Sequence, residues 1–390
     1  MSPQPRSYRV APALELAQAS SFVEEVGTLV EAQIVPRPPL HIEGAPRQVA
    51  ETLARASGQP MEVPAVREFV VREPVLIDQG IVLTADGYAI AETLYDHGPQ
   101  VNAMFSYTEE EVVLNKPAVE LGKSALLLKK KGQTNYGHWL VELLPRLFLH
   151  QRTSKQPAVF VHAPSTGFEF LATMYRETIS LCCDRAEIVP VSSAPTRVES
   201  ARLITGVSKL NAYFSPVVRD MAKSIANAAG PSEGGRKLFV SRSPEHGRGL
   251  ANAQDTERFF QDRGFLTLEP SQLSIREQVS LFAAAEEICG IMGAGMSNSI
   301  FAPTLQFLGY LAPTYMFSID YPNTSSNPAR FYLDMDAALA RSVTRILAGP
   351  PVSTGSVTPR DGFSIGVELL ERWFTQRSMN LNERDSRSPS

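Results

Sequence analysis

The sequence predicts an α/β protein made of two nucleotide-binding-like domains, with a β-rich accessory region in its amino-terminal half. In residues 236–313, short apolar strands alternate with amphipathic helices, which is typical of a parallel sheet covered by helices. Residues 124–204 show the same alternation. Residues 229–235, between the two, are rich in glycine, proline and serine and predict a linker. Two such domains would enclose a deep cleft.

The length and composition describe a globular protein with two cores. A chain of 390 residues is too long for one ordinary domain and suits two. Hydrophobic residues make up 43% of the chain and charged residues 20%, which excludes the disordered and membrane-embedded classes. The formal net charge of −4 gives no overall attraction to nucleic acid or anionic lipid, so we expect no nucleic-acid partner and only local sites for anions.

Targeting and redox features favour a reducing cytoplasm. No apolar run approaches the length of about 20 residues that spans a bilayer, and residues 1–10 lack the layout of a signal peptide. The three cysteines include the adjacent pair Cys182 and Cys183, and they form neither a disulfide framework nor a metal-binding spacing. We therefore expect a cytoplasmic protein without a transmembrane segment, while peripheral contact with a membrane stays open.

The amino-terminal half begins with a helical and proline-rich segment at residues 1–65, in which the prolines at 35–39 predict a surface connection. Residues 66–228 form the predicted acceptor-side domain. Its accessory sheet has predicted strands at residues 68–71, 75–77, 81–83 and 89–93, with a hairpin turn at 85–87. Its α/β part has predicted strands at 124–128, 158–162, 187–190 and 202–204, and helices at about 136–150 and 167–181.

The carboxyl-terminal half, residues 236–361, forms the second predicted α/β domain. Ser274 and Glu277 form a capping box that opens a helix running to residue 285. The other predicted elements of this domain are a helix at residues 255–263 and strands at 237–240, 265–268, 287–291 and 306–311. Residues 362–377 predict one amphipathic helix, and residues 378–390 predict a disordered tail.

A turn of small residues, Gly293-Ala294-Gly295, follows the last-but-one of these strands and precedes apolar residues at helical spacing. The first amides of a helix lack internal partners and carry about half a positive charge, and glycines let a ligand come close to them. The turn is therefore a candidate anion site. Four polar side chains fall just past the strand ends of this domain, where parallel sheets bind ligands: Arg242, Arg248, Glu269 and Asn298.

Two stretches of the sequence resemble glycosyltransferase family 61, whose bacterial members are often described as capsular polysaccharide biosynthesis proteins. One is the block Asn-Tyr-Gly-His-Trp-Leu-Val-Glu-Leu-Leu-Pro-Arg at residues 135–146. The other combines Phe-Val-Ser-Arg at 239–242, Arg248, Asn252, Gly-Phe at 264–265, Glu-Gln at 277–278 and Gly-Ala-Gly-Met-Ser-Asn at 293–298. Many relatives carry His where this chain has Met292. The resemblance spans most of residues 75–340. It implies the two-domain GT-B architecture, with the donor held by the second domain and Asn252 in the donor set.

Transfer of a sugar from a nucleoside diphosphate builds negative charge on the leaving diphosphate, and a metal, or arginines with a helix terminus, must stabilise that charge. The sequence offers the second arrangement, with Arg242 and Arg248 beside the turn. Glu269 could accept a hydrogen bond from the ribose or the base. Asp334 and Asp336 imitate a metal-binding acidic pair, but acidic residues at a helix start ordinarily complement the helix dipole, so no metal site is predicted.

The acceptor hydroxyl must lose its proton as it attacks, so the reaction also needs a base. His138 and Glu142 lie four residues apart on one face of the same predicted helix, and either could serve. A histidine base predicts turnover that falls below about pH 6.5, whereas a carboxylate base would keep its activity down to about pH 5. On the same block, Asn135 and Arg146 are candidate acceptor-side residues, and Pro145 predicts a kink.

Together these observations predict an inverting, metal-independent glycosyltransferase, hexosyl- or pentosyl-transferring, with a nucleotide sugar, expected to be a UDP-sugar, as co-substrate and no other cofactor. Its acceptor would be a saccharide or a lipid-linked hydroxyl in polysaccharide biosynthesis. The lysines at residues 129–131 are predicted to lie in a solvated loop. Two alternatives stay open: a nucleotide-sugar epimerase or hydrolase with the same diphosphate site, and a non-catalytic relative that binds a saccharide or a partner protein.

Overall fold

The structure is a computed structural model that describes residues 5–154, 157–164, 169–230, 236–243, 247–317, 328–352 and 361–385, with side chains described as far as residue 376. The chain forms two compact units. The first unit comprises residues 1–34 and 62–221, and the second comprises residues 35–61 and 222–390. The predicted linker at 229–235 therefore does not coincide with the division. Residues 231–235 lie outside the described part of the chain.

In the first unit, thirteen strands of the described chain form one sheet. They are Arg6–Ala11, Val23–Val30, Val66–Arg72, Val75–Ile77, Ile81–Leu83, Tyr88–Ile90, Gln100–Val101, Phe105–Tyr107, Glu111–Leu114, Val119–Leu127, Ala158–His162, Glu187–Val191 and Thr196–Thr205. The predicted α/β strands are all present, and the predicted hairpin at residues 85–87 is confirmed by the pairing of Leu83 with Ala89.

The strands predicted for the accessory region are present, but they do not form a sheet of their own, because one long strand joins them to the α/β part. Thr196–Thr205 pairs in parallel with Val119–Leu127 on one side and antiparallel with Val66–Arg72 on the other. The parallel part continues through Ala158–His162 to Glu187–Val191. The buried side chains that hold this sheet include Phe69, Leu127, Phe160 and Leu203.

The amino-terminal segment has the predicted helical pieces, at Ala13–Ala19 and Arg47–Ser57, but it is not helical throughout. It contains the strands Arg6–Ala11 and Val23–Val30, because these segments find partners in distant strands of the first unit. The described helices of the first unit are Ala13–Ala19, the helical segment from Tyr136 to His150, Phe170–Cys182 and Val217–Ala229, the last of which contains the division between the units.

The second unit has a parallel sheet of six described strands. In spatial order they are Leu266–Leu268, Arg236–Val240, Ala285–Ile291, Phe307–Pro313, Thr344–Gly349 and Leu40–Glu43. The four predicted strands are confirmed. The last strand comes from residues 35–61, which the sequence had placed in the amino-terminal segment. It pairs in parallel with Thr344–Gly349, so this part of the chain belongs to the second sheet.

Helices and aromatic side chains cover the second sheet. The described α-helices of this unit are Arg47–Ser57, Ala253–Gln261, Ile275–Ala283, Pro328–Ala338 and Val367–Asp385. The capping box of Ser274 and Glu277 is confirmed. Phe239, Phe260 and Trp373 belong to one buried cluster. The last helix reaches Asp385, so the prediction of a disordered tail from residue 378 is wrong as far as residue 385, and residues 386–390 lie outside the described chain.

No helix in the described part of the chain is both long enough and apolar enough to span a bilayer.

Candidate functional site

In the first unit, polar side chains meet where the order of the parallel strands reverses. Strand Thr196–Thr205 lies on one side of Val119–Leu127, and the chain that leaves the latter continues to Ala158–His162 on the other side. Such a reversal leaves a crevice at the carboxyl ends of the strands. Lys130 and Ser208 each follow one of these ends, and we call the group Asp96, Lys130, His138, Glu142 and Ser208 the first cluster.

The helical segment that carries His138 and Glu142 is irregular. It begins with the helix Tyr136–His138, widens into a π-helical turn at Trp139–Leu143 and ends as Leu144–His150. Proline lacks an amide hydrogen and cannot complete a regular ladder, which accounts for the wide turn just before Pro145. Asn135 is the amino-terminal cap, since its side chain accepts a hydrogen bond of 2.9 Å from the amide of Gly137.

Glu142 is the centre of the first cluster. Its side chain is 1% exposed and contacts Lys130 through Oε2 and His138 Nδ1 through Oε1. The hydroxyl of Ser208 donates to Oε2 at 3.0 Å. Burial alone would raise the pKa of Glu142, but the charges and hydrogen bonds of Lys130 and His138 outweigh burial and hold the pKa well below its usual range. Glu142 is therefore an ionised carboxylate at neutral pH.

This environment separates the two candidate bases. An ionised carboxylate only accepts hydrogen bonds, so His138 Nδ1 donates to Glu142 and Nε2 is the nitrogen that can accept a proton. The side chain of His138 is 26% exposed, whereas that of Glu142 is 1% exposed. The backbone at Gly132 packs against the imidazole, where an added Cβ atom would lie 3.3 Å from Cγ of His138. The geometry thus favours His138 as the proton acceptor and Glu142 as the group that orients it.

Arg146 lies beside the first cluster but is tied to its own helix. The side chain is buried, and Nε donates to the carbonyl oxygen of Glu142 at 3.1 Å. Burial lowers the pKa of Arg146, and the negative charges of Glu142 and Asp96 oppose this shift. Arg146 therefore adds positive charge to the cluster. No described contact of Arg146 shows that its side chain faces the space where an acceptor would bind.

The prediction that residues 129–131 form a solvated lysine loop is wrong for two of the three lysines. Lys129 is 1% exposed and donates to the carbonyl oxygens of Val191 at 3.1 Å and Ser192 at 2.7 Å. Burial lowers the pKa of Lys129 to about 8. Lys130 forms ion pairs with Asp96 and with Glu142. A lysine run that directly follows a buried strand is drawn inside when buried carboxylates or carbonyl groups are present to accept its hydrogen bonds.

In the second unit, a second cluster lies at the corresponding strand reversal. The strand Arg236–Val240 lies between Leu266–Leu268 and Ala285–Ile291. The next two strands along the chain therefore lie on opposite sides of it. Arg242 follows the first of these strands, and its Nε donates to the carbonyl oxygen of Gly247 at 2.7 Å. The guanidinium lies against the backbone of Gly293, where an added Cβ atom would be 2.5 Å from Nη1.

The second cluster, which comprises Arg242, Arg248, Glu269, Gly293 and Tyr332, carries excess positive charge. Burial lowers the pKa of Arg242, and the like charge of Arg248 lowers it further. Glu269 and Tyr332 act on Arg242 in the opposite direction. Two neighbouring arginines repel each other until an anion binds, so this is a site where a diphosphate would be stabilised. The hydroxyl of Tyr332 donates to the carbonyl oxygen of Gly293 at 2.6 Å, and burial raises its pKa to about 12.

The turn after Ala285–Ile291 opens a 3₁₀ helix, Ala294–Phe301, rather than the predicted α-helix. Close packing explains this tight form. An added Cβ atom at Gly290 would lie 2.5 Å from Cβ of Val240, and one at Gly295 would lie 3.1 Å from Cγ of Pro270. The turn therefore has little room, and the amide of Met296 bonds to the carbonyl oxygen of Gly293 at 2.9 Å. As in any helix, the first amide groups of Ala294–Phe301 have no carbonyl partner within the helix.

Two predicted donor residues support the backbone instead. Asn298 is fully buried, and its amide donates to Gln278 Oε1 at 2.7 Å and to the carbonyl oxygen of Gly295 at 3.2 Å. Asn252 bonds with the backbone of Ile365, donating at 2.8 Å and accepting at 3.3 Å. Met292 is fully buried as well. Of the predicted set, the structure brings Arg242, Arg248, Glu269 and the turn at Gly293 together.

The acidic pair predicted at a helix start lies within the helix Pro328–Ala338. Asp334 pairs with Arg37 at 2.6 Å and with Arg330 at 2.9 Å. Asp336 accepts hydrogen bonds from Tyr310 at 3.0 Å and Thr344 at 2.7 Å. Both carboxylates thus bind protein groups. The described residues contain no group of three or more His, Cys, Asp or Glu side chains that could hold a metal ion.

Sequence reasoning missed Asp96, Lys130, Ser208 and Tyr332. The rule that identified Arg242, a polar residue just past the end of a buried parallel strand, also applies to Lys130 and Ser208. Asp96 and Tyr332 carry no such signal, because they reach their clusters from distant parts of the chain.

The region from the helix of His138 to the 3₁₀ turn matches a known protein family. Residues 136–305 match the model of the family described as Glycosyltransferase 61. These residues belong to glycosyltransferase family 61. No curated protein matches the chain. The matched glycosyltransferase region includes His138, Glu142, Arg242 and the turn at Gly293, and the family points to transfer of a glycosyl group from a donor to an acceptor.

Proposed function

We propose that the protein is an inverting, metal-independent glycosyltransferase of GT-B type that moves a sugar from a nucleotide sugar to a hydroxyl acceptor. The observation that carries this proposal is the first cluster, in which the buried carboxylate of Glu142 orients the partly exposed imidazole of His138. The second cluster supplies the positive charge that a leaving diphosphate requires. The acceptor is then activated by the first unit and the donor is bound by the second.

On the donor side, cleavage of the bond between the anomeric carbon and the diphosphate oxygen leaves its electron pair on the diphosphate. Arg242 and Arg248 would stabilise this charge, and the first amides of Ala294–Phe301 would add a dipole of the same sign. Glu269 lies near Arg242 and is suited to accept a hydrogen bond from a ribose hydroxyl or a base N–H rather than to bind phosphate. We propose a UDP-sugar as the donor and no further cofactor.

On the acceptor side, a hydroxyl oxygen forms the new bond to the anomeric carbon while its proton passes to Nε2 of His138. The imidazolium that results is stabilised by Glu142, whose Oε1 contacts Nδ1. Glu142 itself is unsuited to form a covalent sugar intermediate, because its carboxylate is buried and is already bonded by Lys130 and Ser208. A single displacement with inversion at the anomeric carbon follows from having one base and no exposed nucleophile in the first cluster.

Acceptor-dependent release of nucleoside diphosphate tests this proposal. The purified protein is incubated with a panel of nucleotide sugars that a thermal-shift screen has ranked, with and without saccharide and lipid-linked acceptors. A ligand at 100 times its Kd raises the free energy of unfolding by about 2.7 kcal/mol, which makes the screen sensitive. We expect release only with an acceptor, and proton NMR of the product should show the inverted anomeric configuration.

The predicted alternatives give different results in the same assay. A hydrolase would release nucleoside diphosphate without an acceptor, and an epimerase would change the sugar without releasing it. A non-catalytic relative would bind the nucleotide and turn over no acceptor. We propose polysaccharide biosynthesis in the cytoplasm as the setting. The class of acceptor that supports turnover tests the biosynthetic role, and fractionation of cells tests the location.

A further inference from the structure

We propose that Lys130, held in place by Asp96, is a positioning residue that acts through the carboxylate of Glu142 to keep His138 oriented and unprotonated. The inference rests on the proposed role of His138 as the base. Lys130 and Asp96 both lie outside residues 136–305, the region that matches the family. They belong to the first cluster through contacts alone.

The two oxygens of Glu142 have different partners. Oε1 contacts Nδ1 of His138, while Oε2 contacts Nζ of Lys130 and accepts the hydroxyl of Ser208 at 3.0 Å. A carboxylate that is held at one oxygen by an ammonium group and a hydroxyl cannot rotate without breaking both contacts. The plane of the carboxylate therefore fixes the direction from which the imidazole is held.

Lys130 is itself anchored at both ends. Its main-chain amide donates to Oε1 of Gln133 at 3.1 Å, and its ammonium group contacts Asp96 as well as Glu142. Asp96 in turn accepts the amide of Leu210 at 3.2 Å. The side chains of Lys130 and Asp96 are 11% and 8% exposed, so solvent screens this chain of charges only weakly.

The charges of the first cluster and of its neighbour Arg146 show what Lys130 contributes. Asp96 and Glu142 are negative, Lys130 and Arg146 are positive, and the hydroxyl of the nearby Tyr213 is kept neutral because burial raises its pKa. These four charges cancel while the imidazole is neutral. Without Lys130 the same groups would carry one net negative charge, which favours a protonated imidazole. A base that is already protonated cannot accept the proton of the acceptor hydroxyl.

Histidine NMR measures this effect without reference to catalysis. The chain has six histidines, so with ¹³C-labelled histidine the signal of His138 can be assigned as the one that His138→Gln removes. In Lys130→Met we expect the titration midpoint of His138 to move upward by about 1 pH unit, because a positive charge next to its carboxylate partner is lost. In Asp96→Asn we expect a smaller downward movement. Lys130→Arg should restore the wild-type midpoint.

Opposite shifts in Lys130→Met and Asp96→Asn support electrostatic positioning, since a general loosening of the cluster would move both midpoints in the same direction. An unchanged midpoint in Lys130→Met, or shifts of the same sign in both variants, overturns the inference. If Lys130→Met fails to fold, Asp96→Asn still shows whether the midpoint of His138 moves downward, and Lys130→Arg is its matched control. The pH profile of turnover separates this inference from the proposed function: midpoints that move while the profile does not would refute the base role of His138 and leave the positioning role intact.

Discussion

At the scale of the residue, Glu142 explains how the helical segment holds the imidazole of His138 in the orientation that the proposed proton transfer requires. Its carboxylate is buried, and Lys130 and His138 compensate the cost of burying its charge. Spacing alone left both His138 and Glu142 open as the base. Burial and partner chemistry distinguish them, and neither is visible in a pattern of four residues.

We expect Glu142→Gln to destabilise the first unit at neutral pH by about 3 kcal/mol, because the buried ammonium group of Lys130 loses one of its two carboxylate partners. The pKa of Glu142 is lowered in the folded state. Its contribution to the free energy of unfolding is therefore complete above about pH 5 and is lost as the pH falls toward the lowered pKa. The difference in free energy of unfolding between the variant and the wild type should therefore shrink between about pH 5 and pH 3.

Urea unfolding followed by tryptophan fluorescence measures this difference in one unit at a time. The chain has two tryptophans, Trp139 in the first unit and Trp373 in the second, so the Trp373→Phe background reports on Trp139 alone. A difference that stays constant from pH 7 to pH 3 would show that Glu142 is not an ionised partner of Lys130.

At the scale of the element, the glycines around the 3₁₀ turn have two separable tasks. Gly290 lets the strand pass close to Val240, and Gly293 leaves room for the guanidinium of Arg242. We expect Gly290→Ala to lower the free energy of unfolding by about 1–3 kcal/mol, because its Cβ atom meets backbone and a rigid side chain. The Cβ atom of Gly293→Ala would clash with the flexible end of Arg242 and make only ordinary contact with the backbone of Ile291, so we expect near-normal stability and roughly tenfold weaker binding of nucleoside diphosphate.

Thermal unfolding and calorimetric titration of the two variants check both tasks, with Gly366→Ala as the matched control because nothing lies within 4 Å of an added Cβ atom there. A loss of affinity in Gly290→Ala but not in Gly293→Ala would show that Arg242 does not depend on the turn.

At the scale of the whole molecule, local pattern predicted the second sheet and the helices of the amino-terminal segment, but it missed the strands of that segment. Buried parallel strands read as short apolar runs between helices, which is why Arg236–Val240 and Phe307–Pro313 agree with the prediction to within two residues. The pairing of Leu40–Glu43 with Thr344–Gly349 joins residues about 300 positions apart, and no local pattern encodes such a contact.

The same contrast between local pattern and distant contacts holds for the residues of the candidate site. Helical periodicity and strand ends predicted His138, Glu142, Arg242 and the turn at Gly293, and the structure brings His138 to Glu142 and Arg242 to Gly293. The sequence could not show that Asn252 and Asn298 bond to backbone and a neighbouring side chain, because the same amide groups are suited to a ligand or to a buried support.

Metal dependence is a property of the whole reaction, and we expect turnover to survive excess chelator. In the proposed donor site, Arg242 and Arg248 would supply the charge that a cation otherwise brings. Asp334 is bonded to Arg37 and Arg330, and Asp336 is bonded to Tyr310 and Thr344. Initial rates with and without EDTA, each with added manganese as a control, measure this. Loss of turnover in chelator that manganese restores would contradict the proposed donor site.

The division of tasks between the two clusters is the central claim, and calorimetric titration of nucleoside diphosphate into Arg242→Ala and His138→Ala tests it most directly. We expect Arg242→Ala to weaken binding by about 1.5–3 kcal/mol, the usual contribution of a charged hydrogen-bond donor. His138→Ala should bind with wild-type affinity and lose roughly 10²–10⁴-fold in turnover. Unchanged nucleotide affinity in Arg242→Ala, or wild-type turnover in His138→Ala, would contradict the account.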